Sequence, residues 1–408
     1  MVLLQQLKKS DFWIKWCLFN FFIVAFVGVL MRYNILYSLP VLEHKYLLQS
    51  HSHFAFYGWV SAAIYTLVYY YFKRFNISTN FLKYEIIMLL NQVGAFGMLL
   101  SFLYGGYYWL SIIFSSLSFF AGVLYFIFII TDTKKCDNVA LIWLKTGGFF
   151  AVFSAIGIFG LSYFTSRREE FEVLFRASTY FYLHFQYNGF FLFSCIGLFL
   201  LYLQTQEIYL SKKLNKIIIT LLFIGAFFGY GLSTLWIKTP KLVLIFWFII
   251  AFIQLYGAGL FIGFVKQKFK DFKFQNNSLQ ILFIVFSFAF LLKFLLPFLS
   301  LFPTLSTYVF YNLNIILAYL HLVLLVGFSV FLVWQLLVTF KPNFSLFLIF
   351  SIYLLVGSIL LNEFFLIVLG LTALVTFSFS SAPFWLFFSA LLILISIYFL
   401  IYSLKKTY

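Results

Sequence analysis

The sequence predicts an all-α integral membrane protein, a polytopic helical bundle of about twelve transmembrane helices. Three observations carry this. The chain is 64% hydrophobic and 25% aromatic with only 9% charged residues, which leaves too little polar surface for a water-soluble domain. Its apolar stretches are continuous rather than alternating, which favours helices over barrel strands. Its lysines and arginines concentrate in every second connection, the pattern of loops retained on the cytoplasmic side.

A helix crosses the hydrocarbon layer, roughly 30 Å thick, with about 20 residues. Cutting the 408 residues at charges, prolines and polar clusters leaves runs at 12–37, 48–72, 84–104, 107–131, 140–164, 176–204, 214–236, 242–265, 278–300, 307–339, 343–370 and 381–403. The first follows Lys8 and Lys9 as a signal peptide would, but is too long for an h-region and lacks a small-residue cleavage site, so it is read as a retained helix. The second closes on Lys73 and Arg74; only Gly105 and Gly106 separate the third from the fourth. Lys134 and Lys135 end the fourth, and the loop holding Arg167 and Glu170 ends the fifth. Lys212 and Lys213 precede the seventh, and four lysines between 266 and 273 follow the eighth. Lys341 with Pro342 closes the tenth, and Lys405 with Lys406 closes the last.

With the N-terminus inside, most of the 27 lysines and arginines fall on the cytoplasmic side, against Arg32, Lys45, Arg167, Arg168, Arg176, Lys238 and Lys241 outside and Lys293 within a helix. Both termini are then cytoplasmic, in a membrane such as the bacterial inner membrane. The net charge of +16 is scattered over short loops, so it reads as a topology signal with the lipid bilayer as partner and no nucleic acid. Cys17, Cys136 and Cys195 stand on separate segments and suggest neither a disulfide framework nor a metal cluster. No linker or low-complexity tract stands out, and residues 1–408 are expected to form a single membrane domain.

Polar residues inside such a bundle are costly and therefore candidates for function. They are His51 and His53 on the second segment, His184 on the sixth, Lys293 on the ninth, His321 on the tenth and Glu363 on the eleventh. The second, sixth and tenth segments all run from outside to inside, and each carries its histidine in the outer part of the span. Imidazole is the usual axial ligand of heme iron and a common copper ligand. At about 100° per residue, His51 and His53 point roughly 200° apart and cannot share one metal; the same spacing separates Tyr319 from His321.

These residues resemble a family. Twelve helices with histidines on the second, sixth and tenth look like the main subunit of the heme-copper oxidases and their nitric oxide reductase relatives. "HSHFAFYGW", 51–59, is similar to the H-x-N-x-x-x-x-G pattern of the reductase and C-type oxidase branch. The resemblance puts His51 on the low-spin heme ligand and His53 on the asparagine position, at the helix entrance, where it caps backbone groups or meets a heme propionate. "HFQYNGFF", 184–191, is similar to the H-x-x-x-E-G stretch, with His184 as residual copper ligand and Asn188 on the glutamate position. "YLHLVLLVGF", 319–328, resembles the H-x-H region. There His321 takes the second low-spin position and Tyr319 stands where the high-spin heme ligand would be, a candidate oxygen ligand to a second heme. "GYGLSTLW", 229–236, lies over G-x-G-H-H-x-x-W, with Leu232 and Ser233 in place of the two histidines.

The resemblance therefore implies a low-spin heme b held by His51 and His321, an incomplete heme-copper centre, and electron transfer or gas sensing, with a respiratory subunit or cytochrome as partner. One alternative is a transporter or respiratory-complex assembly factor that keeps the bundle without cofactor, using Lys293, Glu363 and the histidines along a polar path. The other is an active oxidase or nitric oxide reductase with an unusual metal site built from Tyr319, Tyr230 and Asn188.

Overall fold

The computed structural model describes residues 2–37, 39–165, 167–372 and 379–405; Lys406, counted above with the cytoplasmic lysines, lies outside them. The described residues form helices and no strand. In chain order they are α1 (Val2–Tyr37), α2 (44–74), α3 (Leu82–Gly105), α4 (Trp109–Asp132), α5 (Val139–Thr165), α6 (Glu172–Gln204), α7 (Lys212–Thr234), α8 (Lys241–Asp271), α9 (Asn277–Leu299), α10 (Leu313–Phe340), α11 (Leu346–Thr372) and α12 (Ala382–Lys405), with a short helix Pro303–Tyr311 leading into α10. Eleven of them, all but α2, are long and apolar enough to cross a membrane. The protein is a polytopic helical membrane protein.

Helix α2 departs from the apolar pattern for a reason visible in its surroundings. Its polar-edged side chains, Tyr57, Trp59, Ser61, Tyr65, Thr66, Tyr69 and Tyr71, are all buried. A helix enclosed by other helices meets hydrogen-bond partners instead of lipid, so its sequence need not be uniformly apolar. Tyr71 Oη, for instance, donates to Gln335 Oε1 at 2.9 Å.

The chain folds as two compact units. The first comprises residues 1–125, 274–286 and 320–408. In it α2 packs on α1 and α3, α12 packs on α11 and α1, and the 320–340 part of α10 packs on α2 and α11. The second comprises 126–273 and 287–319, with α5 against α6, α6 against α7, and α7 against α8. Helix α6 is its enclosed element, buried without interruption from His184 to Leu203.

Gly106 turns the chain between α3 and α4. Its φ of +64° is a conformation that a side chain disfavours, and a Cβ there would sit 2.6 Å from the Tyr46 ring and 2.9 Å from Gln49 Oε1. The glycine thus lets the α3–α4 turn close onto the entrance of α2, where Tyr107 meets His53.

Candidate functional site

The histidines of α2, α6 and α10 share a local feature that composition did not disclose. Directly after His53, His184 and His321 the helix widens into π-helical stretches, Phe54–Ser61, Phe185–Phe191 and Leu322–Ser329. Such i→i+5 segments are rare and concentrate at functional sites. In α2 two carbonyls of the widened segment are satisfied from neighbouring helices: Asn91 Nδ2 donates to Tyr57 O at 2.7 Å and Asn20 Nδ2 to Gly58 O at 2.6 Å. Asn20 in turn donates to Gln92 Oε1 at 2.8 Å. Buried amides are therefore placed to meet the backbone acceptors that a π turn leaves over. A repeated H-F-x-[FY]-x-G, at 53–58 and 184–189, was the signal in the sequence; it is short enough to pass for chance.

In the first unit α2 and α10 are joined by a buried bond from Trp59 Nε1 to Ser329 Oγ, 2.8 Å. His51 and His321 each lie eight residues before their end of this bond, about 12 Å along each axis. The two rings are close enough to act on each other electrostatically. His51 turns one edge to Gly28 of α1, where a Cβ would meet the ring at 3.4 Å. The Val24 carbonyl lies beside the ring, yet the buried Nδ1 completes no hydrogen bond. His321 directs Nδ1 to α11, where Asn362 Nδ2 is 3.4 Å away and Glu363 Oε1 4.0 Å. No hydrogen bond to Nε2 of either ring is formed among the described residues.

Arg32 joins this cluster. Counted above among the outer charges, it belongs to helix α1 and acts electrostatically on Glu363, His51 and His321. The charge distribution alone could not reveal this, because Arg32 is only a few residues from the end of its run and its partner is in α11.

His53 points the other way, as the helical angle requires. Nδ1 donates to the Gln49 carbonyl of its own helix at 2.8 Å, and Nε2 accepts from Tyr107 Oη at 3.0 Å. Its ring also packs on Phe102, 4.3 Å between centroids. Both nitrogens are engaged, one with a backbone carbonyl and one with a tyrosine hydroxyl.

The second unit brings His184, Asn188, Ser233 and Lys293 together. Lys293 is buried, with 4% of its surface exposed. Its ammonium donates to Asn188 Oδ1 at 2.6 Å and lies 4.5 Å from the Phe294 ring centre. Asn188 Nδ2 donates to His184 Nδ1 at 3.1 Å, beside Ser233 Oγ at 3.2 Å. His184 Nε2 therefore carries the proton and donates to Ala226 O at 2.8 Å. Both ring nitrogens of His184 are thus in use. Tyr319 Oη donates to the Lys293 carbonyl at 3.5 Å, and Tyr230 Oη to the Ala177 carbonyl at 2.8 Å. Leu232 is buried on the segment that carries Ser233. Among the described residues no three His, Cys, Asp or Glu side chains are grouped to hold a metal ion.

The two sites differ chemically. A bis-imidazole heme needs two free Nε2 lone pairs with each ring oriented through Nδ1. What His51 and His321 offer toward this is an Nε2 without a hydrogen bond among the described residues, with Nδ1 of His51 unpartnered beside α1 and Nδ1 of His321 facing Asn362 Nδ2 and, farther off, Glu363 Oε1; His184 does not offer a free nitrogen. No family model matches the chain, and no curated protein is a significant match.

Proposed function

We propose that this is a heme-binding membrane protein in which His51 and His321 hold a low-spin heme b, serving electron transfer or gas sensing. The observation that supports it is the matched placement of the two histidines, each eight residues from the Trp59–Ser329 bond and each directed by its Nδ1 side toward protein. When bound, the heme supplies a one-electron Fe(III)/Fe(II) couple, tuned by its axial ligands. The chain's own part is orientation. Gly28 leaves room for the His51 ring, Asn362 and Glu363 stand behind His321, and Arg32 offsets the charge of Glu363. A respiratory subunit or cytochrome is the partner this reading calls for, and the membrane is the bacterial inner membrane with both termini cytoplasmic.

The visible spectrum of the purified protein tests it. A low-spin bis-imidazole spectrum is expected, abolished by His321→Ala and by His51→Ala. Heme retained unchanged in both single variants refutes the assignment.

A cofactor-free transporter or assembly factor is the second reading. The Lys293–Asn188–His184–Ser233 cluster favours it, since a buried ammonium held by neutral groups is costly to keep for packing alone. It predicts a heme-free protein whose activity depends on Lys293.

A further inference from the structure

We propose that Glu363, assisted by Asn362, is the positioning residue of His321: its carboxylate accepts the Nδ1 proton of that imidazole and so presents the Nε2 lone pair to iron. This rests on the heme reading above. Glu363 sits deep within α11, 6% exposed, and an ionisable residue at such a place needs a partner. The charged and titratable groups facing it are His321 of α10, Arg32 of α1 and, close to both, His51 of α2.

Asn362 makes the arrangement specific. Ser389 Oγ of α12, whose single proton also faces Leu386 O at 3.0 Å, lies 3.4 Å from Asn362 Oδ1, and Asn362 Nδ2 faces Glu363 Oε1 at 3.3 Å and His321 Nδ1 at 3.4 Å. A neutral imidazole carries one proton, and the partner of one nitrogen decides the state of the other. With that proton on Nε2, Nδ1 accepts from Asn362 and the ring cannot bind iron through Nε2. With the proton on Nδ1, two donors confront each other, and the acceptor at hand is Glu363 Oε1, 4.0 Å away. A rotation of about 1 Å brings that pair to ordinary hydrogen-bond length. Ligation at Nε2 therefore selects the form in which Glu363 holds Nδ1–H. The negative charge behind the imidazole also makes it a stronger donor and favours ferric over ferrous iron.

The full-length protein in detergent, wild type and the variants Glu363→Leu, Glu363→Gln and Asn362→Leu, would be titrated with hemin and examined by visible spectroscopy and mediated potentiometry. Glu363→Leu, lacking any acceptor, should lose hemin affinity by roughly 10–100-fold, the usual effect of removing an outer-shell partner. Glu363→Gln keeps a neutral acceptor; it should retain the bis-imidazole spectrum with a midpoint potential shifted to more positive values. Should Glu363→Leu fail to fold, the potential of Glu363→Gln decides alone. A wild type with the bis-imidazole spectrum whose variants all match it in affinity and potential overturns this inference and leaves the heme reading standing. A wild type that binds no hemin overturns the heme reading itself.

Discussion

Replacing Asn188 with Leu removes the acceptor of a buried ammonium, and its cost should depend on whether Lys293 is present. Lys293 Nζ is 2.6 Å from Asn188 Oδ1 and no carboxylate lies within ion-pair distance of it among the described residues. Removing this acceptor leaves a buried charged donor unsatisfied, which costs about 3 kcal/mol. The same substitution also removes the Asn188 Nδ2 bond to His184, a neutral bond contributing about 1 kcal/mol. Asn188→Leu alone should therefore destabilise by about 4 kcal/mol. Lys293→Met removes the ammonium and keeps the length of the side chain; the relief from desolvation offsets the unsatisfied Asn188 oxygen, so this variant should be near neutral. In that background Asn188→Leu should cost only about 1 kcal/mol. The coupling is then about 3 kcal/mol, within the range measured for contacting residues. For a unit of this size, a kilocalorie corresponds to about 2–4 °C in unfolding temperature. Thermal unfolding of the four proteins in detergent, followed by circular dichroism, measures the cycle. Additivity to within about 0.5 kcal/mol would show that Asn188 and Lys293 do not depend on each other and would refute the reasoning.

Three further outcomes are expected. Reporter fusions after Lys135 and after Arg168 should report opposite sides of the membrane, the first cytoplasmic; the same side for both sinks the topology argued from the lysines and arginines. Gly106→Ala should destabilise by about 2 kcal/mol or more, because it combines a left-handed backbone with a Cβ 2.6 Å from Tyr46; an unchanged unfolding temperature argues against the tight α3–α4 turn. The purified single chain should reduce neither oxygen nor nitric oxide at a heme-copper centre, since Leu232 cannot ligate and His184 has both nitrogens bonded; stoichiometric copper or non-heme iron together with two hemes and turnover of either gas would overturn this.

The membrane class, the runs that become helices and the opposed directions of His51 and His53 were all legible in the sequence, because each depends on short-range quantities: hydrophobicity over about 20 residues and rotation per residue. The limits of that legibility show at particular residues. Arg32 reads as an outer charge until α11 brings Glu363 near it. Lys293 reads only as a charge within a helix until Asn188, 105 positions away, proves to be its acceptor. Trp59 and Ser329 are 270 positions apart, and nothing local to either announces their bond. The π-helical stretch of α2 has its Tyr57 and Gly58 carbonyls met by Asn91 and Asn20, amides supplied by other helices. Inside a membrane the backbone is satisfied within each helix whatever its neighbours are, so local pattern suffices to form the spans. Which polar side chains meet is decided by packing between helices distant in the chain, and that information resides only in the tertiary structure.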